Sequence, residues 1–211
     1  MPTFKFSREA ILGAIRSNIP NQQVEHPRIP VFQRSGRPLK SEFEQLLQQA
    51  GGIAHDVGTV VEAEAMLMTL HPGAKVVCSA VPEIAGMRRV ENVRDPQELA
   101  DVDVCIVRAQ FGVAETRAIW LTQEDLVVDA LAVLSQHLIV LLDPKQIVGD
   151  MHDAYRRVDL NETSYGCFML GPSATADIEA TLVHGAQGAR SLNIFFLSPP
   201  QISALRAQPE P

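Results

Sequence analysis

At 211 residues the chain is long enough for one sizeable domain that buries about 70% of its unfolded surface. Hydrophobic residues make up 46% and charged residues 20%, a globular balance that argues against a disordered chain and against an integral membrane protein. The formal charge is -7, with no basic run longer than Arg88-Arg89 or Arg156-Arg157, so nucleic acid is not an expected partner.

No apolar run reaches the 18 or so residues that a membrane span requires, and the first residues lack an apolar core followed by a cleavage site. The expected location is the cytoplasm, with no membrane span. Cys78, Cys105 and Cys167 are far apart, and each lies in or beside an apolar run without any Cys-x-x-Cys. They read as buried small hydrophobes, and no thiolate cage for an iron–sulfur cluster is expected in this chain.

The first element is a short amphipathic helix from Ser7, with Ile11, Leu12 and Ile15 on one face and Pro20 as its stop. Residues 20–38 hold four prolines and little periodicity, which predicts an extended connector. This connector lets the first helix pack remotely, including onto another subunit, so a homo-oligomer is one expected arrangement. Ser41-Glu42-Phe43-Glu44 reads as a capping box, and Gly51-Gly52 as a helix end, ahead of a strand at 53–57. Thr59 to Glu62 repeats the box before a second helix that ends at Pro72-Gly73, and a strand follows at 75–79.

A short helical piece is predicted over 82–87 and a capped turn at Asp95-Pro96-Gln97-Glu98. Strands follow at 102–107 and 112–121, the second pairing directly with a neighbour. The run 126–134 reads as part strand and part short helix. Next come a strand at His137–Leu142, a helix over 150–158, a strand at 167–170 and a last strand at 192–197; residues 199–211 form a frayed tail. Strands separated by single helices indicate an α/β fold, with a mostly parallel sheet covered by helices on both faces. Such sheets bind ligands outside the carboxyl ends of their strands. No Gly-x-Gly-x-x-Gly and no Gly-Lys-Ser/Thr loop supports a nucleotide site.

The stretch from Tyr165 to Gly185 carries the densest signal. Its strand breaks at Gly171-Pro172, and Ser173, Thr175 and Asp177 then open a segment with Ile178, Leu182 and Val183 on one helical face. A helix starting there would aim free N–H groups at a carboxylate, phosphate or carbonyl oxygen. Capping alone accounts for the same residues. Glu115 is set among Val113, Ala114, Ile119 and Trp120, where desolvation would raise its pKa toward acid–base work, or it is solvated or paired with Arg117. His137 opens a strand and could reach the same crevice, with a hydrogen-bonded structural role as the alternative. His55, His71, His152 and His184 show no ligand spacing, so no metal is expected.

The run Gly171-Pro172-Ser173-Ala174-Thr175-Ala176-Asp177-Ile178-Glu179, the later Gly185 to Gly188 segment and the terminal apolar strand resemble the signature of the lactate-utilisation (LUD) domain family, of the LutC and YkgG type. Phe111-Gly-Val-Ala-Glu115-Thr116 and the strand from His137 match further family segments. The resemblance implies a fold similar to ribose-5-phosphate isomerase (the NagB/RpiA/CoA transferase-like class) over residues 39–198, flanked by residues 1–38 and the tail. Two departures stand out. Glu115-Thr116-Arg117-Ala118 replaces a common Glu-Thr-Gly-Thr, and Gly185-Ala186-Gln187-Gly188-Ala189 replaces a Gly-x-His-Gly-Pro run.

What the resemblance implies for function is a LutC-like component of a bacterial system that oxidises L-lactate to pyruvate. Its iron–sulfur clusters are expected only on partner proteins, with no cofactor in this chain. The implied pocket holds a small carboxylate among Thr116, Arg117, His137, Gly171, Ser173, Thr175 and Asp177. An alternative is an independent acyl- or coenzyme A-transferase-like or cyclo-ligase-like enzyme with Glu115 as nucleophile or base. A further one is a scaffold with a degenerate pocket that Arg117 fills. Arg117 could equally supply a carboxylate-binding fork.

Overall fold

The apolar runs assemble into a six-stranded, wholly parallel sheet in this computed structural model, which describes residues 7–20, 25, 27–30, 36–159, 161 and 163–197. The chain divides into two units, Met1–Arg34 and Ser35–Pro211. In the first, α1 (Arg8–Asn18) starts where the sequence places it, with Ser7 Oγ accepting the Ala10 N–H at 3.2 Å. Parts of the 20–38 connector and all of the 199–211 tail lie outside the described residues.

The second unit opens with α2 (Leu39–Gln49), β1 (Ile53–Val57), α3 (Val60–Leu70), β2 (Val77–Ser79), β3 (Arg88–Arg89) and β4 (Val104–Arg108). There follow β5 (Phe111–Val113), β6 (Ala118–Thr122), α4 (Gln123–Leu126), α5 (Leu131–Leu134), β7 (His137–Leu142) and β8 (Ile147–Val148). The last group is α6 (Met151–Tyr155), β9 (Gly166–Met169), β10 (Ala174–Thr175), β11 (Val183–His184) and β12 (Ser191–Leu197). The main sheet runs β1-β12-β7-β4-β2-β3, and a smaller mixed sheet runs β8-β5-β6-β9. The α/β reading therefore holds, with a second sheet added.

Local chemistry explains the starts and stops. Thr59 caps α3 by accepting the Glu62 N–H at 3.1 Å, and Asp95 with Glu98 forms the predicted box on a single 3-10 turn. Gly51, at a φ of +82°, ends α2 where a side chain would be strained. By contrast, α2 begins at Leu39, directly after Pro38, so Ser41 lies inside its first turn and does not cap it. The helix expected over 82–87 is absent. A Cβ on Gly86 would meet Ser79 N at 2.7 Å and Val77 O at 2.8 Å, so the chain there is pressed against β2 and turns instead of coiling. The 112–121 segment is a hairpin of β5 and β6, and 126–134 holds short helices with no strand.

Strand alternation sorts the core into two faces. Leu138, Val140 and Leu142 join Leu192, Ile194 and Phe196 beneath α2, α5 and the inner side of the small sheet. Ile139, Leu141, Phe195 and Leu197 face Ala63 and Leu67 of α3. The outer side of the small sheet stacks Phe111, Trp120 and Phe168, with α6 contributing Ala154. Among the described residues, no helix is long and apolar enough to cross a membrane.

Candidate ligand cleft

The Gly171–Gly188 segment does not form the helix expected from its capping residues. Thr175 Oγ1 donates to Asp177 Oδ2 at 2.9 Å and accepts the Asp177 N–H at 3.2 Å. This is a side-chain turn that competes with helix formation. Beyond it Glu179 and Ala180 take positive φ values of 53° and 55°. Ala174 and Thr175 pair instead with His184 and Val183 as the β10–β11 hairpin. The anion-holding helix end is therefore withdrawn, and a different enclosure takes its place.

Ser173 ties the hairpin down. Its N–H donates to Ala189 O at 2.7 Å and its carbonyl accepts the Gly185 N–H at 2.9 Å. Its Oγ accepts the Gln187 N–H at 3.3 Å, which leaves the hydroxyl proton to donate. Gly185, at a φ of +82°, and Gly188, where a Cβ would approach Ser173 Cβ to 3.1 Å, let the returning chain pass close by. Between these walls and the sheets lies a cleft of about 290 Å³, with Gly171, Ser173 and Gln187 at its polar side and Leu138, Met169 and Leu192 among its apolar lining.

The cleft sits at the opposite end of the sheet from the expected one. Arg190 N donates to Gln136 O at 2.9 Å, one residue before β12 and β7 begin, and Gly51, before β1, approaches Pro172. Because the segment leads straight into β12, it must lie at the amino ends of β1, β7 and β12. The carboxyl ends carry a partly buried ion pair instead, buried Glu83 with half-buried Arg108 of β4.

The remaining candidates are spread over three places. Glu115 is exposed, and its Oε2 accepts the Met151 N–H at 3.1 Å, so it closes the start of α6. Thr116 Oγ1 contacts Met151 Sδ at 3.5 Å. Arg117 Nε donates to Leu170 O at 3.0 Å, which fixes the β5–β6 turn to the strand leading into Gly171. His137 lies on the α3 side of the main sheet, with Nδ1 2.7 Å from Ser191 Oγ, and does not line the cleft. Gly171 and Ser173 are thus brought together, Arg117 adjoins them through Leu170, and Thr175 with Asp177 holds the hairpin. The apolar lining from Val133, Leu138 and Leu192 was not foreseen, since one strand pattern serves core and cleft alike.

With this geometry in place, the LUD domain family matches residues 71–197, more than half of the chain. The chain belongs to the LUD domain family. The matched stretch takes in the hairpin, the cleft walls and five of the six strands of the main sheet. An uncharacterised protein of Neisseria meningitidis serogroup B is 29% identical over 133 residues, which are 62% of this chain and 57% of that protein. The chain thus spans less than two thirds of that relative. A crystal structure of a DUF162 family protein from Deinococcus radiodurans superposes with a TM-score of 0.55 at 18% identity, covering 76% of this chain and 96% of the other. That likeness speaks to the fold.

Proposed function

We propose that this LUD domain protein is a LutC-like component of a bacterial L-lactate utilisation system, acting in the cytoplasm and holding a small carboxylate in the Gly171–Gly188 cleft. The chain binds and positions; the electrons and protons released as lactate becomes pyruvate pass to iron–sulfur centres on partner proteins. The observation that carries this reading is the cleft itself, built from the segment with the family signature and offering the Ser173 hydroxyl and the Gln187 amide above an apolar floor. Few, placed polar groups over apolar walls are what a small-molecule site needs.

Two of the three cysteines support the division of labour, while Cys167 is only half-buried. Cys78 and Cys105 are fully buried neighbours across β2 and β4, and burial pushes the Cys105 thiol up to about 12, far from the thiolate that a cluster requires. The two departures from the family pattern leave the cleft open, since Arg117 is drawn to Leu170 and Gln187 keeps a polar group on the wall. The transferase reading stands second because Glu115 is engaged at a helix end.

A deletion strain tests the proposal. Growth on L-lactate as sole carbon source should be lost, restored by the wild-type gene and not by one encoding Ser173→Ala with Gln187→Ala. A tagged chain should retain iron–sulfur proteins during purification. Undiminished growth of the deletion strain on L-lactate would sink the proposal.

A further inference from the structure

A second cleft, of about 400 Å³, opens at the same amino edge but on the α3 side of the main sheet. His71, just beyond α3, lies against His137 at the start of β7, with ring centroids 4.4 Å apart. Arg190, before β12, and Gln136, before β7, line the same space. The Arg190 guanidinium is exposed and has no ion-pair partner among the described residues. His137 Nδ1 lies 2.7 Å from Ser191 Oγ; with Nδ1 accepting from the Ser191 hydroxyl, Nε2 carries the ring proton and is left to donate to another partner.

One carboxylate shares the lining and keeps its charge. Asp103 faces this space, and its Oδ2 accepts the Lys75 and Val76 N–H groups at 2.6 and 2.9 Å. The ionisable groups around the cleft are Arg190, Asp103 and the two imidazoles, with the Lys75 charge acting on Asp103; among the described residues the Arg190 guanidinium forms no ion pair with that carboxylate. Gly73 and Ala74 also line the space. A planar fork beside neutral N–H donors matches an oxyanion.

We propose that this cleft is a separate oxyanion site, taking the phosphate or carboxylate group of a small molecule, with Arg190 as the charged fork and His137 Nε2 and the Gln136 amide as flanking donors. It lies across the sheet from Ser173 and does not rest on the lactate reading. Its binding is coupled to protons. Burial and the Arg190 charge, against the opposing pull of Asp103, hold His137 below the ordinary imidazole value of 6.5, and burial and His137 do the same to His71. An anion offsets the Arg190 repulsion, so the imidazoles take up protons on binding, and affinity rises as the pH falls.

Calorimetry with sulfate, which keeps its charge across this range, and with acetate separates the two ligand sources. Sulfate should bind more tightly at about pH 6 than at about pH 8. Arg190→Gln should weaken it about tenfold or more, with partial retention in Arg190→Lys. His137→Asn should flatten the pH dependence of sulfate binding. Binding of acetate in place of sulfate, with the same loss in Arg190→Gln, assigns the site to a carboxylate. Failure of both probes to bind, or equal affinity in Arg190→Gln, overturns the site; a sulfate affinity independent of pH overturns the role of the imidazoles.

Discussion

Arg117 takes a φ of +55° at a turn position where glycine is common in the family. The backbone requirement survives the change of residue, and the side chain offsets part of its cost by donating to Leu170 O at 3.0 Å. Arg117→Ala removes that bond and keeps the strain, whereas Arg117→Gly removes both. Chemical denaturation should therefore find the glycine variant more stable than the alanine variant by about 1 kcal/mol. Equal stabilities would mean that the turn relaxes to negative φ. Glu115 shows the limit of reading single residues: its apolar neighbours in sequence, Val113, Ala114, Ile119 and Trp120, are buried, yet the carboxylate emerges on a turn and meets the amide of Met151. Desolvation could not be read from neighbours that are buried on both faces of the hairpin while Glu115 sits on its turn.

At the scale of elements, long strands and two of the three predicted capping boxes were legible, the exception being Ser41, which lies inside α2. Ile53–Val57 and His137–Leu142 have the expected bounds, and the Thr59 and Asp95 caps are formed. The failures fall where tertiary contact overrides local preference: the pressed turn at Gly86, and the hairpin at Ala174–Thr175, whose partner Val183–His184 lies too far along the chain to be signalled by spacing. The docking of α2 yields a direct test. Leu47 is fully buried and packs over Gly52, where a Cβ would come within 2.5 Å of its Cδ1; Leu47→Ala should cost about 2–5 kcal/mol by urea unfolding. A cost below about 0.5 kcal/mol, the range of surface substitutions, would place α2 off the core.

Across the whole molecule, pH should act first through the histidine pair at the amino edge. Both imidazoles are held below their ordinary value of 6.5, so below that pH the unfolded chain binds protons that the folded chain refuses. Stability is thus lost as the pH falls from about 6.5 toward the lowered native values, and is unaffected by these groups above it. Urea midpoints should decline between about pH 7 and pH 5.5, and decline less in His137→Gln; an unchanged slope in that variant would assign the loss to other groups. His71 and His137 are 66 positions apart in a chain of 211 residues, so only the parallel sheet, by placing the end of α3 beside the start of β7, creates the pair. The same topology puts both clefts at the amino edge, a consequence of the segment feeding β12 that strand patterns alone did not reveal.

The occupancy of the Gly171–Gly188 cleft is most directly tested by thermal unfolding with L-lactate, D-lactate, pyruvate, coenzyme A, an acyl-coenzyme A and a folate. A ligand at about 100 times its dissociation constant stabilises by about 2.7 kcal/mol, or about 5–10 °C for a chain of this size. L-Lactate or pyruvate should give such a shift, retained in Glu115→Gln and largely lost in Ser173→Ala. A shift with coenzyme A alone that disappears in Glu115→Gln would contradict the account and return the chemistry to that carboxylate.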